Sequence, residues 1–209
     1  MAEIPAMALL IRSLHSTNPT ERLRAAREIF DQGWKLARPT IEEWLRDPEI
    51  LKIFPAAGVG AADAKSWPPG IAVGLAVVQE TFERIRAANG SPRSARVPPE
   101  HDAIEFELDF PEGVRLGILT ARPADGNGAL ARFLRKFGEG IQQIEIRVRD
   151  VDRATNALRA RFGIESVYPA ARAGADGARV NFLLVPAEGR KVLIELVEPP
   201  RESAPPKQT

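Results

Sequence analysis

The sequence predicts an α+β fold in which two consecutive βαβββ units, eight strands in all, follow a helical extension. Three observations predict it. Apolar residues in the first 54 positions recur at helical intervals, the rest of the chain divides into two halves with the same order of elements, and three strands alternate apolar and polar residues cleanly.

In residues 1–54, Leu23, Ala26, Ile29, Phe30 and Trp34 form one apolar stripe on a helix. Asn18 before Pro19 is a helix start. Thr40 with Glu43, just after Pro39, is a capping box that predicts a break near Arg38. Asp47 with Pro48 begins another short helix toward Phe54, so three or four helices are expected. No catalytic motif lies here. The segment is expected to pack on the main domain or on a second copy of the chain in a homodimer. Residues 55–69, rich in Pro, Gly and Ala, read as a linker and place the domain boundary.

The remaining domain spans 70–198. Its first module, 70–121, offers a strand at 70–77, a helix at 80–89 and strands at 93–97, 103–110 and 114–121. A connecting helix is expected at 127–136. The second module, 141–198, offers a strand at 141–148, a helix at 150–162 and strands at 165–168, 179–185 and 191–197. Residues 199–209 are Pro-rich and polar, the composition of a disordered tail.

Alternation assigns the faces. Ile104, Phe106, Leu108 and Phe110 share one side of their strand and Glu105, Glu107 and Asp109 the other. Ile144, Ile146 and Val148 oppose Gln143, Glu145 and Arg147, and Glu195 shares a face with Leu193 and Val197. One sheet face is therefore rich in carboxylates, with Arg115 and Arg147 as cationic members. Antiparallel sheets tolerate one solvated face, so the pattern alone does not make a site.

Composition narrows the partners. A 209-residue chain accommodates one domain of about 130 to 140 residues plus a smaller element. With 44% hydrophobic and 27% charged residues it is an ordinary globular composition. No apolar run approaches the roughly 20 residues that span a bilayer, and no secretory signal is evident, so a cytoplasmic protein is expected. A net charge of +1 argues against nucleic acid, leaving small molecules or proteins as partners. Without cysteine, disulfides, thiolate metal sites and cysteine nucleophiles are excluded. The two histidines are His15 and His101; the latter sits in a turn and is expected to be solvated.

The second module, GEGIQQIEIRVRDVDRATNALRARFGI followed by GARVNFLLVPAEGRKVLIELVE, resembles the C-terminal module of methylmalonyl-CoA epimerases and their relatives in the vicinal oxygen chelate superfamily. In the first module GIAV, VPPEHDAIEFEL and ALARFLRKFGEG agree more weakly, and the likeness covers about residues 68–198. It implies a curved sheet around a central cleft. There each module lends ligands to one divalent cation that holds two substrate oxygens and stabilises an enolate. Carried over, the last ligand falls on Glu195 and the second-module histidine on Gln143. The first-strand histidine falls near Pro68 and the remaining glutamine on Gly117. Three of four positions have changed, so no divalent metal or other cofactor is expected, Gln143 and Glu195 being vestiges of the site.

The resemblance also implies a pair of proton-transferring carboxylates, and these fall on Glu105 and Glu195, both retained. Arg115 or Arg147 is the expected substitute for the cation's charge, unless the arginines only balance neighbouring glutamates. Gln143, Glu145, Glu107 and Asn181 are expected to bind substrate. Three functions follow as expectations: a metal-independent isomerase or lyase acting next to a carbonyl, on a substrate of the acyl-CoA kind; a non-catalytic small-molecule-binding module; or an interaction protein with a degenerate cleft.

Overall fold

The computed structural model describes residues 6–54, 70–124, 126–187 and 190–200. The expected linker at 55–69 and most of the expected tail lie outside the described residues. The elements run α1 (Ala6–Ser13), α2 (Pro19–Trp44), α3 (Pro48–Ile53), β1 (Ile71–Ala76), α4 (Gln79–Ala88), β2 (Ala103–Asp109), β3 (Arg115–Ala121) and α5 (Ala129–Phe137). They continue with β4 (Gly140–Arg147), α6 (Val151–Phe162), β5 (Arg172–Ala173), β6 (Arg179–Ala187) and β7 (Arg190–Glu198).

The strands form one mixed sheet in the order β2-β3-β1-β4-β7-β6-β5. β1 runs parallel to β3 and β4 parallel to β7, while β1 and β4 meet antiparallel at the centre. Val73 opposes Ile144 at that seam, and the register is symmetric about the pair: Gly74 faces Gln143 and Ala72 faces Glu145. A pseudo-twofold axis there relates the modules. It makes Ala72 the counterpart of Gln143, Gly74 of Glu145, and Gly117 of Glu195, because Gly74 pairs with Gly117 as Glu145 pairs with Glu195.

Among the described residues seven strands are found, not eight. Residues 93–97 form an extended strap tied to β2 through Ala95 N–H to Glu105 O at 2.8 Å. Pro92 precedes it and Pro98 and Pro99 follow, and residues without an N–H cannot continue a ladder. In the second module 165–168 is reduced to an isolated bridge between Ser166 and Leu183. Pro169 ends that approach, and the two-residue β5 takes the sheet edge.

The expected break near Arg38 is absent: α2 is a continuous helix of 26 residues with Pro39 inside it. A proline in a helix interior costs about 3 kcal/mol, but the buried stripe continues beyond it through Ile41 and Trp44. Burying each of those side chains stabilises by about 1.5–3 kcal/mol, so packing overrides the local preference. Both expected starts hold, with Asn18 accepting from Thr20 N–H at 2.9 Å and Asp47 accepting from Glu49 N–H at 2.9 Å.

α2 crosses the apolar face of the sheet, touching β1, β3, β4, β6 and β7. At Gly33 the backbone comes so near the seam that a Cβ would lie 2.6 Å from Val73 Cγ2 and 3.1 Å from Ile144 Cδ1. α4 and α6 cover the same face, and Phe82 of α4 meets Phe106 edge to face at 4.7 Å. The N-terminal helices thus pack on the domain and leave the carboxylate face uncovered. At one end of that face Leu130 and Ala131 of α5 pack on Ala76, Leu119 and Ala121.

Candidate functional site

β2, β3, β4 and β7 bring most of the expected residues together. Period-two alternation puts Glu105 and Glu107 of β2, Gln143, Glu145 and Arg147 of β4 and Glu195 of β7 on one face. Glu105, Glu107, Gly117, Glu145, Arg147 and Glu195 line a chamber of about 390 Å³. Arg93 and Ala95 of the strap and Ala175 and Asp176 of the facing turn contribute to its wall. Asp176 joins strap and turn, accepting from Arg93 Nη1 at 3.1 Å and Nη2 at 2.8 Å and from Arg96 N–H at 3.0 Å. A second lobe of about 450 Å³ shares Glu105, Ala175 and Glu195 with the chamber. The two carboxylates therefore stand where the lobes meet.

These acids are crowded. Glu105, Glu145 and Glu195 keep a little surface toward the cleft and are otherwise enclosed by protein. Burial and the nearby charges of Glu145 and Glu107 push Glu105 up to about 8. Burial, then the charge of Glu107, pushes Glu145 up to about 7, against a lowering contribution from Gln143. Glu195 is raised well above the ordinary carboxylate range by burial and by Glu145, Glu105 and Glu107. Gln143 Nε2 donates to Glu195 Oε2 at 2.5 Å and stands 3.5 Å from Glu145 Oε1. The amide thus spans the two acids of the second module.

The residues do not fit the family's cation. The pseudo-twofold axis corrects the position expected near Pro68, itself outside the described residues, to Ala72, which has no donor atom. Gly117 has none either. Its missing side chain leaves room that Glu145 fills: a Cβ on Gly117 would lie 2.8 Å from Glu145 Oε1. Among the described residues no group of three His, Asp or Glu is arranged to hold a metal. Two donors, Gln143 and Glu195, fall short of the three protein ligands that catalytic sites usually keep.

The remaining candidates are placed differently. Arg147 lines the chamber and its Nη2 lies 3.5 Å from Glu107 Oε2. Arg115 is held at the rim, its Nε 2.7 Å from Asp109 Oδ1. Asn181 is not in the cleft. It is buried on the opposite face from its neighbour Phe182, which pairs with Glu195, and its Nδ2 lies 3.4 Å from both Thr155 Oγ1 and Tyr168 O. His101, expected to be solvated, has its Nε2 buried without a hydrogen-bond partner among the described residues. Burial and the charge of Arg172 lower its pKa.

Sequence reasoning missed Arg93, Asp176, Tyr168 and Arg172, all of which line one lobe or the other. Each comes from a loop or a two-residue strand, where no periodicity marks which way a side chain turns. His101 did carry a signal, being the one histidine of the βαβββ domain.

No protein-family model and no curated protein sequence matches the chain. Solved structures do. The methylmalonyl-CoA epimerase of Mycobacterium tuberculosis is 32% identical with a TM-score of 0.53, over 64% of this chain and 89% of that one. A methylmalonyl-CoA epimerase in complex with methylmalonyl-CoA and NH4+ is 29% identical with a TM-score of 0.50, over 64% and 96% of the two chains. A variant of the Streptomyces coelicolor methylmalonyl-CoA epimerase in complex with 2-nitronate-propionyl-CoA is 27% identical with a TM-score of 0.51, over 64% and 96%. About a third of this chain has no counterpart in them.

Proposed function

The chain belongs to the vicinal oxygen chelate superfamily, on its methylmalonyl-CoA epimerase-like branch, and from that premise we propose a metal-independent isomerase or lyase that moves a proton next to a carbonyl or thioester. Two of the similar structures hold acyl-CoA ligands, which makes an acyl-CoA the substrate class to test. The observation that carries the reading is the meeting of Glu105 and Glu195 at the junction of the two lobes.

Two enclosed carboxyl groups that feel each other's charge do not both ionise readily, and this suits transfer of a proton on and off one carbon. The ionised member removes the proton. The neutral member returns one, which inverts the centre if the two approach from opposite sides. Gln143 fixes the Glu195 carboxylate through its short hydrogen bond. Charge that develops on the thioester oxygen is met by Arg147, whose contact with Glu107 is long enough to yield. Arg115, engaged with Asp109, acts on this field from the rim. Glu107 and Glu145 shape the chamber around the acyl group, with Gln143 on the wall of the second lobe.

The test is α-proton exchange in deuterated water with methylmalonyl-CoA, propionyl-CoA and a set of 2-keto acids. The expected result is deuterium at the α-carbon of at least one acyl-CoA, undiminished by a chelator and lost in Glu105→Gln. Stoichiometric Co, Mn, Ni or Zn in the purified protein would overturn the metal-independent part. Absence of exchange with every substrate, together with a melting-temperature rise on adding acyl-CoA, would favour the binding module instead.

A further inference from the structure

The chamber is a poor host for a negatively charged acyl group. Glu105, Glu107, Glu145, Asp176 and Glu195 line it, and its two arginines are engaged, Arg93 by Asp176 and Arg147 by Glu107. The neighbouring lobe is different. Arg132, Arg172 and His101 line it beside Tyr168 and Phe182, together with the carboxylates of Glu100, Glu105 and Glu195. Arg132 donates to the backbone carbonyl of Asn127. Arg172 forms no ion pair among the described residues and lies over the Tyr168 ring, 4.5 Å from guanidinium carbon to centroid. Stacking orders the guanidinium plane while leaving its edge, which carries the N–H donors, available to a planar anion. His101 adds a buried Nε2 that no described group satisfies, and such an atom is costly unless a ligand or water meets it. Asp102 also lines the lobe, and its Oδ2 is likewise buried without a hydrogen-bond partner among the described residues; a Cβ on Gly128 would overlap that oxygen at 1.6 Å, so the carboxylate is packed against the glycine backbone.

We propose that Arg172, ordered by Tyr168 and joined by His101, forms an anion subsite that holds a carboxylate or phosphoryl group of the ligand. Glu105 and Glu195 line both lobes, so a carbon held between them directs one substituent into this subsite. The inference rests on the cleft being the ligand site, but not on proton transfer taking place there. Arg172 is thereby a specificity-determining residue, selecting an anionic ligand that the chamber alone would repel. The guanidinium suits this role because two parallel N–H groups match two anion oxygens.

Calorimetric binding of three probes to the full chain tests it. Methylmalonyl-CoA carries an acyl carboxylate and nucleotide phosphates, propionyl-CoA the phosphates alone, and the N-acetylcysteamine thioester of methylmalonate the carboxylate alone. If the anion is the acyl carboxylate, Arg172→Gln weakens both methylmalonyl probes about tenfold or more, the loss of one charge-assisted contact, and spares propionyl-CoA. If it is a phosphate, both CoA probes weaken and the truncated thioester does not. Tyr168→Leu gives the same pattern with a smaller loss, because it frees the guanidinium plane without removing the charge. Affinities within twofold of wild type for all three probes overturn the subsite, and so does an equal loss for all three. These outcomes are independent of exchange: failure of proton transfer with charge-selective binding intact removes the proposed reaction and leaves the subsite standing.

Discussion

The two modules share an architecture and differ in what they place in the cleft. The pseudo-twofold axis relates Ala72 to Gln143, Gly74 to Glu145 and Gly117 to Glu195. At these positions the first module presents nothing larger than a methyl group, and the second presents an amide and two acids. Glu145 reaches across to take up the space at Gly117. The difference teaches that a symmetric scaffold can carry polar groups on one module and none at the matching positions of the other while its sheet stays intact. The backbone ladder is indifferent to the side chains that face the cleft, provided the opposite face remains apolar and covered.

The largest expected effect breaks the comparison at its chemical end. Glu195→Gln removes a carboxyl that either accepts or returns the proton, and exchange should fall on the order of a hundredfold or more, the usual weight of a general acid or base. The change is nearly isosteric, so the melting temperature should hold or rise. Gly117→Ser, the same position of the first module, should keep measurable exchange. Equal loss in both would mean that the cleft works as one packed unit and not through the second module's acids.

Next come the glycines. Gly117→Ala places a Cβ 2.8 Å from Glu145 Oε1, and Gly33→Leu drives a side chain into Val73, whose Cγ2 lies 2.6 Å from an added Cβ. Gly33→Leu should cost about 1–3 kcal/mol, the usual penalty of overpacking, or several degrees in Tm for a chain of this size, and Gly117→Ala less, because the atom it meets is the movable end of a side chain. The sharpening step is a second substitution. Glu145→Ala should relieve Gly117→Ala and leave Gly33→Leu unrelieved, because the two glycines meet opposite faces of the sheet. Relief of neither would refute the idea that Glu145 fills the space of the missing side chain.

A smaller effect is pH-dependent stability. Glu105 is an acid whose folded pKa, about 8, exceeds its ordinary value of 4.5. Its protonated form is favoured in the folded state, so its contribution is full below about pH 4.5 and lost as pH rises through about 8. Glu145, raised to about 7, adds in the same direction. Thermal unfolding of Glu105→Gln should match wild type near pH 4.5 and exceed it near pH 8. A variant equally stable at both ends relative to wild type would mean that Glu105 is ionised in the folded protein at no cost.

How much was legible beforehand follows from the same physics. The sheet faces were readable because alternation of period two leaves no choice once one face is apolar: Ile104, Phe106 and Leu108 against Glu105 and Glu107 settle β2, and Ile144 and Ile146 settle β4. The helix caps at Asn18 and Asp47 were readable because they act within three residues. What failed was decided at longer range. Pro39 looks like a break locally, and burial of Ile41 and Trp44 beyond it keeps α2 continuous through it. Residues 93–97 have the spacing of a strand, yet prolines on either side and the distant Asp176 make them a strap. Asn181 was expected to bind substrate, whereas alternation from Glu195 through Phe182 puts it on the helix face. The carboxylates were found in advance and the cations of the second lobe were not, because strands announce their side-chain directions and loops do not.

The smallest effect on the fold separates two roles for Arg147. Its pair with Glu107 spans 3.5 Å with both side chains about half exposed, and such surface pairs contribute about 0–1 kcal/mol. Arg147→Gln should therefore leave Tm within a degree or two of wild type, about what so small a term produces. If Arg147 only balances Glu107, exchange should be equally unmoved. If it meets the charge of the enolate, the maximal exchange rate should fall on the order of tenfold or more at saturating acyl-CoA while the half-saturating concentration changes little, because the contact strengthens only as charge develops. A parallel loss in Glu107→Gln would instead assign the effect to the pair's geometry. The same cation would then serve the second module as a strut and not as the replacement for a metal's charge.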